Sequence, residues 1–140
     1  MTNAILKTAC LLTLMWPSML WADNLLETTT SWDGGEFHYP QGEAEVTSTI
    51  LAIEAGVSAS FHCHPVPTLG YVLKGTVEVE TKSGKKTLLS AGDSVVEVMR
   101  TVHRGTAIDG PVEILVFYAG ATSMPNTVFP ESDPDNKYCN

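Results

Sequence analysis

The chain has 140 residues, of which 44% are hydrophobic and 17% charged, a balance that supports one compact domain and excludes intrinsic disorder. Its formal charge of -8 argues against a general nucleic-acid surface or attraction to anionic lipid, because both need clustered Lys and Arg. The one basic cluster, Lys82, Lys85 and Lys86, reads as a solvated hairpin tip.

Residues 1–22 differ from the rest. Lys7 supplies a single positive charge, Thr8 to Leu20 is apolar and uncharged, and Ala22 stands at a plausible cleavage point before Asp23. The run is shorter than the roughly 20 residues a spanning helix needs. The pattern predicts a secretory signal peptide over 1–22, export to the periplasm or beyond, no stable membrane anchor, and a single mature domain over 23–140. Cys63 and Cys139 would then remain, and an oxidising compartment permits a disulfide between them. Sequence does not say whether the polar tail around Cys139 reaches Cys63, so the bond is not predicted.

In chain order, Trp32-Asp33-Gly34-Gly35 reads as a turn and Glu36 to Tyr39 as a short strand stopped by Pro40. Glu43 to Ala55 is β-rich, and Gly56 ends it. Phe61 to His64 is a further strand, broken by Pro65-Val66-Pro67. Tyr71 to Leu73, Thr76 to Thr81 and Lys86 to Leu89 follow in quick succession, with Ser83-Gly84 as a hairpin turn. Ser94 to Met99 comes next, Arg104-Gly105 reads as a break, and Val112 to Tyr118 is the most apolar strand. Beyond Ala119 the prolines and acids read as an irregular tail, laid over the fold or mobile. Many short strands with glycine-rich turns predict an all-β sandwich or barrel.

His62 and His64 sit one residue apart, which in an extended strand puts both imidazoles on one face and Cys63 on the other. Cys63 reads as a buried packing residue. His103 lies after the second strand run, and three neutral imidazoles on one point make a site for Fe, Mn, Ni, Cu or Zn as the divalent ion. The fourth histidine, His38, stands apart and reads as a surface or core-edge residue. Glu97 interrupts an apolar run. It either faces solvent or faces inward as general base, partner of a histidine NH, or ligand from a new direction. Tyr71 is a candidate pocket residue or a core tyrosine, and Arg100 and Arg104 flank His103, where they could draw a carboxylate to the mouth.

Gly56, His62, His64 and Gly75, with the later Gly92 and His103, resemble the two motifs of the cupin superfamily over roughly residues 43–120. The resemblance implies a small antiparallel jelly-roll barrel with a metal centre, and often pairing of copies through strand edges into a homodimer. Thr68 stands where the first motif carries its glutamate ligand. In the second motif Val98 and Arg100 stand where it carries proline and glycine, and Ala107 replaces its final asparagine.

Loss of that carboxylate leaves three imidazoles and the full charge of a +2 ion, which makes bound water more acidic and favours anionic ligands. Thr68 could hydrogen-bond a metal-bound water or satisfy a backbone group. The expected function is metal-dependent, oxygenase-type chemistry on a small molecule, with a non-catalytic small-ligand binder or sensor as the alternative.

Overall fold

The computed structural model describes residues 21–140; apart from Trp21 and Ala22, the expected signal peptide lies outside the described residues. Among the described residues seven strands follow one another: β1 (Ala44–Ile53), β2 (Thr68–Lys74), β3 (Thr76–Thr81), β4 (Lys86–Ser90), β5 (Ser94–Val96), β6 (His103–Ala107) and β7 (Val112–Ala121). A single 3-10 turn, Pro130–Ser132, interrupts the tail. Among the described residues no helix is long and apolar enough to cross a membrane.

The strands form two antiparallel sheets, ordered β1-β7-β2-β5 and β4-β3-β6. Alternation explains the layering: in β3, Val77, Val79 and Thr81 are buried while Glu78 and Glu80 are more exposed. The inward residues Ile53, Val72 and Val112 of one sheet meet Val77, Val79 and Ala107 of the other in one core. Each fully buried valine of this kind contributes roughly 1.5–3 kcal/mol. β1 is an edge strand paired only with β7.

Three elements depart from the sequence reading. Glu36 to Tyr39 makes only the single bridge Thr30–Glu36. Phe61 to His64 is extended but forms isolated bridges to three separate places, His62 with His103, Cys63 with Val128 and His64 with Met99. Arg104-Gly105 is no break, since it lies inside β6. A Cβ on Gly105 would stand 3.1 Å from a Val77 methyl, so this glycine serves close strand approach.

The tail is laid over the fold. Cys63 is disulfide-bonded to Cys139, with a Cα separation of 5.7 Å, so it is buried and also covalently tied. Val102 and Val128 pack around the bond. The Asp133 carboxylate accepts backbone N–H bonds from Lys137, Tyr138 and Cys139 at 2.8–2.9 Å. Burial opposes its ionisation, but those donors and nearby Arg100 outweigh it and hold the carboxyl below its usual range. At the β3–β4 hairpin, Lys85 pairs with Asp33 and Lys86 with Glu78 and Glu80, a solvated cluster of mixed sign.

Candidate metal centre

The three histidines come from two segments that pair with each other. His62 and His64 alternate along the extended stretch before β2, so both rings leave one side and Cys63 the other. His103 opens β6, and His62 and His103 exchange both backbone N–H to carbonyl bonds, at 2.9 and 2.8 Å. The ring centroids stand 4.7–5.0 Å apart, and one ligating atom from each lies within 4.8 Å of the others.

Second partners fix the tautomers. Nδ1 of His62 faces the Ser60 carbonyl at 2.8 Å, that of His64 the Asn126 carbonyl at 2.9 Å, and that of His103 the Thr101 carbonyl at 2.8 Å. A carbonyl oxygen only accepts, so each Nδ1 carries a proton, and in the neutral ring it is Nε2 that keeps the lone pair. This is the tautomer a divalent ion requires. Burial, with the neighbouring His103 and His62 adding to it, pushes His64 down to about 3, and burial likewise lowers His62. His64 is therefore neutral and able to ligate at physiological pH.

A cavity of about 290 Å³ opens over these rings, between the two sheets. Its walls are largely apolar, built from Leu51, Ile53, Val79, Ile114, Val116 and Phe129. Among the described residues Glu97 is the one acidic residue lining it, and no Lys or Arg does so. Glu97 Oε2 lies 3.5 Å from His103 Nε2 and is buried without a hydrogen-bond partner among the described residues. Of the alternatives left open by the sequence, the structure chooses the inward one.

The other expected pocket residues separate. Thr68 lines the cavity, but its hydroxyl donates to the Val66 carbonyl at 3.1 Å, the backbone-satisfying option. Tyr71 is not in the cavity. It follows the cavity-lining Gly70, so the two-residue period turns it to the outer face of the sheet, beside Leu25, Leu115 and Phe117. Arg100 is also elsewhere: its guanidinium donates to the Lys137 carbonyl at 2.7 Å and its backbone N–H to the His64 carbonyl. Arg104 lies over the Phe61 ring and bonds Glu80. Neither arginine is placed to draw a ligand into the cavity.

Sequence reasoning missed Tyr118, Thr127 and Phe129. The Tyr118 ring lies 5.5 Å from that of His64 and the Phe129 ring 6.4 Å from that of His62, and Thr127 Oγ1 is 3.3 Å from His64 Nδ1. Tyr118 was read only as the end of a core strand. The other two belong to the tail, whose one signal of docking was Cys139.

The family described as Cupin domain (Cupin_2) matches residues 49–118. No curated protein sequence matches the chain. Among solved structures, the fold is similar to the DMSP lyase DddQ from Ruegeria pomeroyi DSS-3, at 23% identity and a TM-score of 0.55 over 71% of this chain and 48% of that one. It is also similar to the oxalate decarboxylase of Lactobacillus farciminis in a formate complex, at 19% identity and 0.52 over 60% and 26%. A cupin 2 domain-containing protein from Halorhodospira halophila gives 18% and 0.52 over 63% and 60%. The chain thus spans less than half the length of the first two, and at these identities the likeness is one of fold. The matched residues cover half of the chain and include all three converging histidines, on two facing antiparallel sheets: the chain belongs to the cupin domain family.

Proposed function

We propose that the protein is an exported, metal-dependent cupin that takes a small, largely apolar molecule into the cavity above His62, His64 and His103 and acts on it by dioxygenase-type chemistry. The observation that supports this most directly is the set of three Nε2 lone pairs, each fixed by an Nδ1–H bond to a backbone carbonyl, facing one apolar cavity. A nitrogen donor set of this kind fits a divalent first-row ion. The ion would supply adjacent positions for substrate and dioxygen. Dioxygenation places both oxygen atoms in the product, so it needs no external reductant.

The chain's own residues define the rest. The apolar walls exclude water and select a short, weakly polar body, at the lower end of ordinary ligand-site volumes of about 300–1,000 Å³. With both arginines committed elsewhere, a small dianion such as the substrate of an oxalate decarboxylase would depend on the ion alone for its charge. Export is supported by the Cys63–Cys139 bond, which belongs to oxidising compartments.

The test is metal analysis of protein purified from its own compartment, beside His62→Ala. The expected content is about one equivalent in the wild type and little in the variant; less than about a tenth of an equivalent in the wild type refutes the centre. A second reading, a non-catalytic binder of the same molecules, is favoured by the sparse polar lining of the cavity. Oxygen uptake by the loaded protein with candidate substrates separates the two.

A further inference from the structure

We infer that Glu97 is the fourth ligand of the histidine centre, its carboxylate arriving from the end of β5. The inference rests on the metal reading above and adds to it the donor that sets the charge of the site.

The geometry calls for a shared cation. His103 commits Nδ1–H to the Thr101 carbonyl, so in the neutral ring its Nε2 meets Glu97 Oε2 lone pair to lone pair across 3.5 Å. Two electron-rich atoms at that separation in a desolvated setting repel. Oε2 finds no donor of any kind among the described residues. Glu80 and Asp133, by contrast, do find partners: Glu80 has Arg104 and Lys86, and Asp133 has three backbone N–H groups. Among the described residues no Lys or Arg lines the cavity to balance Glu97. A divalent ion held by the three Nε2 atoms turns the repulsive pair into two ligands of one centre.

The neighbouring strand is arranged in keeping with this. The Glu97 N–H donates to the Thr68 carbonyl at 2.9 Å, which continues the Leu69–Val96 register by one pair and places 68 and 97 opposite each other on the cavity face. Thr68 turns its hydroxyl onto the Val66 carbonyl and does not compete for the ion. A carboxylate ligand lowers the net charge of a divalent centre from +2 to +1. The strong attraction for anions expected of a three-imidazole site is correspondingly reduced, which suits a neutral or singly charged substrate.

The test uses Co(II) as probe on the metal-free full domain, with chelator competition for affinity and visible absorption for coordination, comparing wild type, Glu97→Gln and Glu97→Asp. Glu97→Gln is expected to weaken Co(II) binding by on the order of 10- to 100-fold and to alter the absorption bands. It is also expected to raise the unfolding midpoint of the metal-free protein, because it removes the charge from a half-buried carboxylate whose Oε2 has no partner among the described residues. A purely structural role would not move affinity and metal-free stability in opposite directions. Glu97→Asp keeps the charge with a shorter reach and is expected to bind between the two, which keeps the comparison open if the glutamine variant folds poorly. Both variants binding within about threefold of wild type, with unchanged spectra, overturns the fourth ligand and leaves the three-histidine centre standing. No Co(II) binding by the wild type overturns both.

Discussion

Breaking the Cys63–Cys139 bond disturbs the site while leaving every lining residue in place. The bond spans 76 residues of sequence, and the chain-entropy relation for a loop of that size gives about 4.5 kcal/mol. That figure is the ceiling, because other ties survive. Cys63 and Val128 keep their two backbone hydrogen bonds of 2.8 and 2.9 Å, and Asp133 still gathers the last turn of the tail. We therefore expect Cys139→Ala to cost roughly 2–4.5 kcal/mol, a large part of the ~5–15 kcal/mol total of a domain. The segment loosened carries Thr127, Phe129 and the Asn126 carbonyl that orients His64, so Co(II) affinity falls with stability. Guanidinium unfolding with and without reductant, beside chelator-competition binding, measures both. Reductant should bring the wild type down to the variant and leave the variant unmoved. A reduced wild type within about 1 kcal/mol of the oxidised one, at undiminished metal affinity, would refute the idea that the tail holds the site.

Gly75→Ala places a Cβ 2.5 Å from the Pro111 carbonyl oxygen at a φ of +80°; a loss of at least about 2–3 kcal/mol is expected by denaturant unfolding, and less than 1 kcal/mol sinks the claim of close approach. Thr68→Val removes a hydroxyl bonded only to the Val66 carbonyl, so metal content should be unchanged and stability should fall by about 1 kcal/mol. Metal loss in that variant would show that Thr68 serves the centre. His64 is held at about 3 in the metal-free fold against an ordinary value of 6.5, so the unfolded chain binds a proton that the folded one refuses. Stability of the metal-free protein should fall as pH drops from about 6.5 towards 3, by up to about 1.4 kcal/mol per pH unit. A urea midpoint flat between pH 7 and pH 5 contradicts the buried neutral ring.

What the sequence disclosed followed its periods. β3 was legible from its alternation, β4 from the Ser83-Gly84 turn before it, β1 from a β-rich composition ended by Gly56 and β7 from its apolar run, and the His62–His64 pair because a spacing of two fixes a face. Glu97 was not, because its direction depends on the register of β5 against β2, which is a contact between distant parts of the chain. Tyr71 was misplaced by one step of the same alternation. β6 was read as a break because Gly105 resembles a turn residue, when its missing side chain makes room for Val77. Arg100 is instructive in the other direction. The second motif carries a glycine there, and the chain keeps the left-handed backbone that glycine favours, at φ +61°, with the arginine's guanidinium fastened to the tail.

The reciprocal backbone pair between His62 and His103 also bears on the order of events during folding. No ligand pair that includes His103 forms until β6 has closed against a segment some forty residues earlier in the chain, so an ion would meet a complete set of donors only late. An ion bound to the finished site then acts by mass action on the whole domain, adding about 2.7 kcal/mol at a hundredfold excess over its Kd. It should slow unfolding and leave the rate of refolding nearly unchanged.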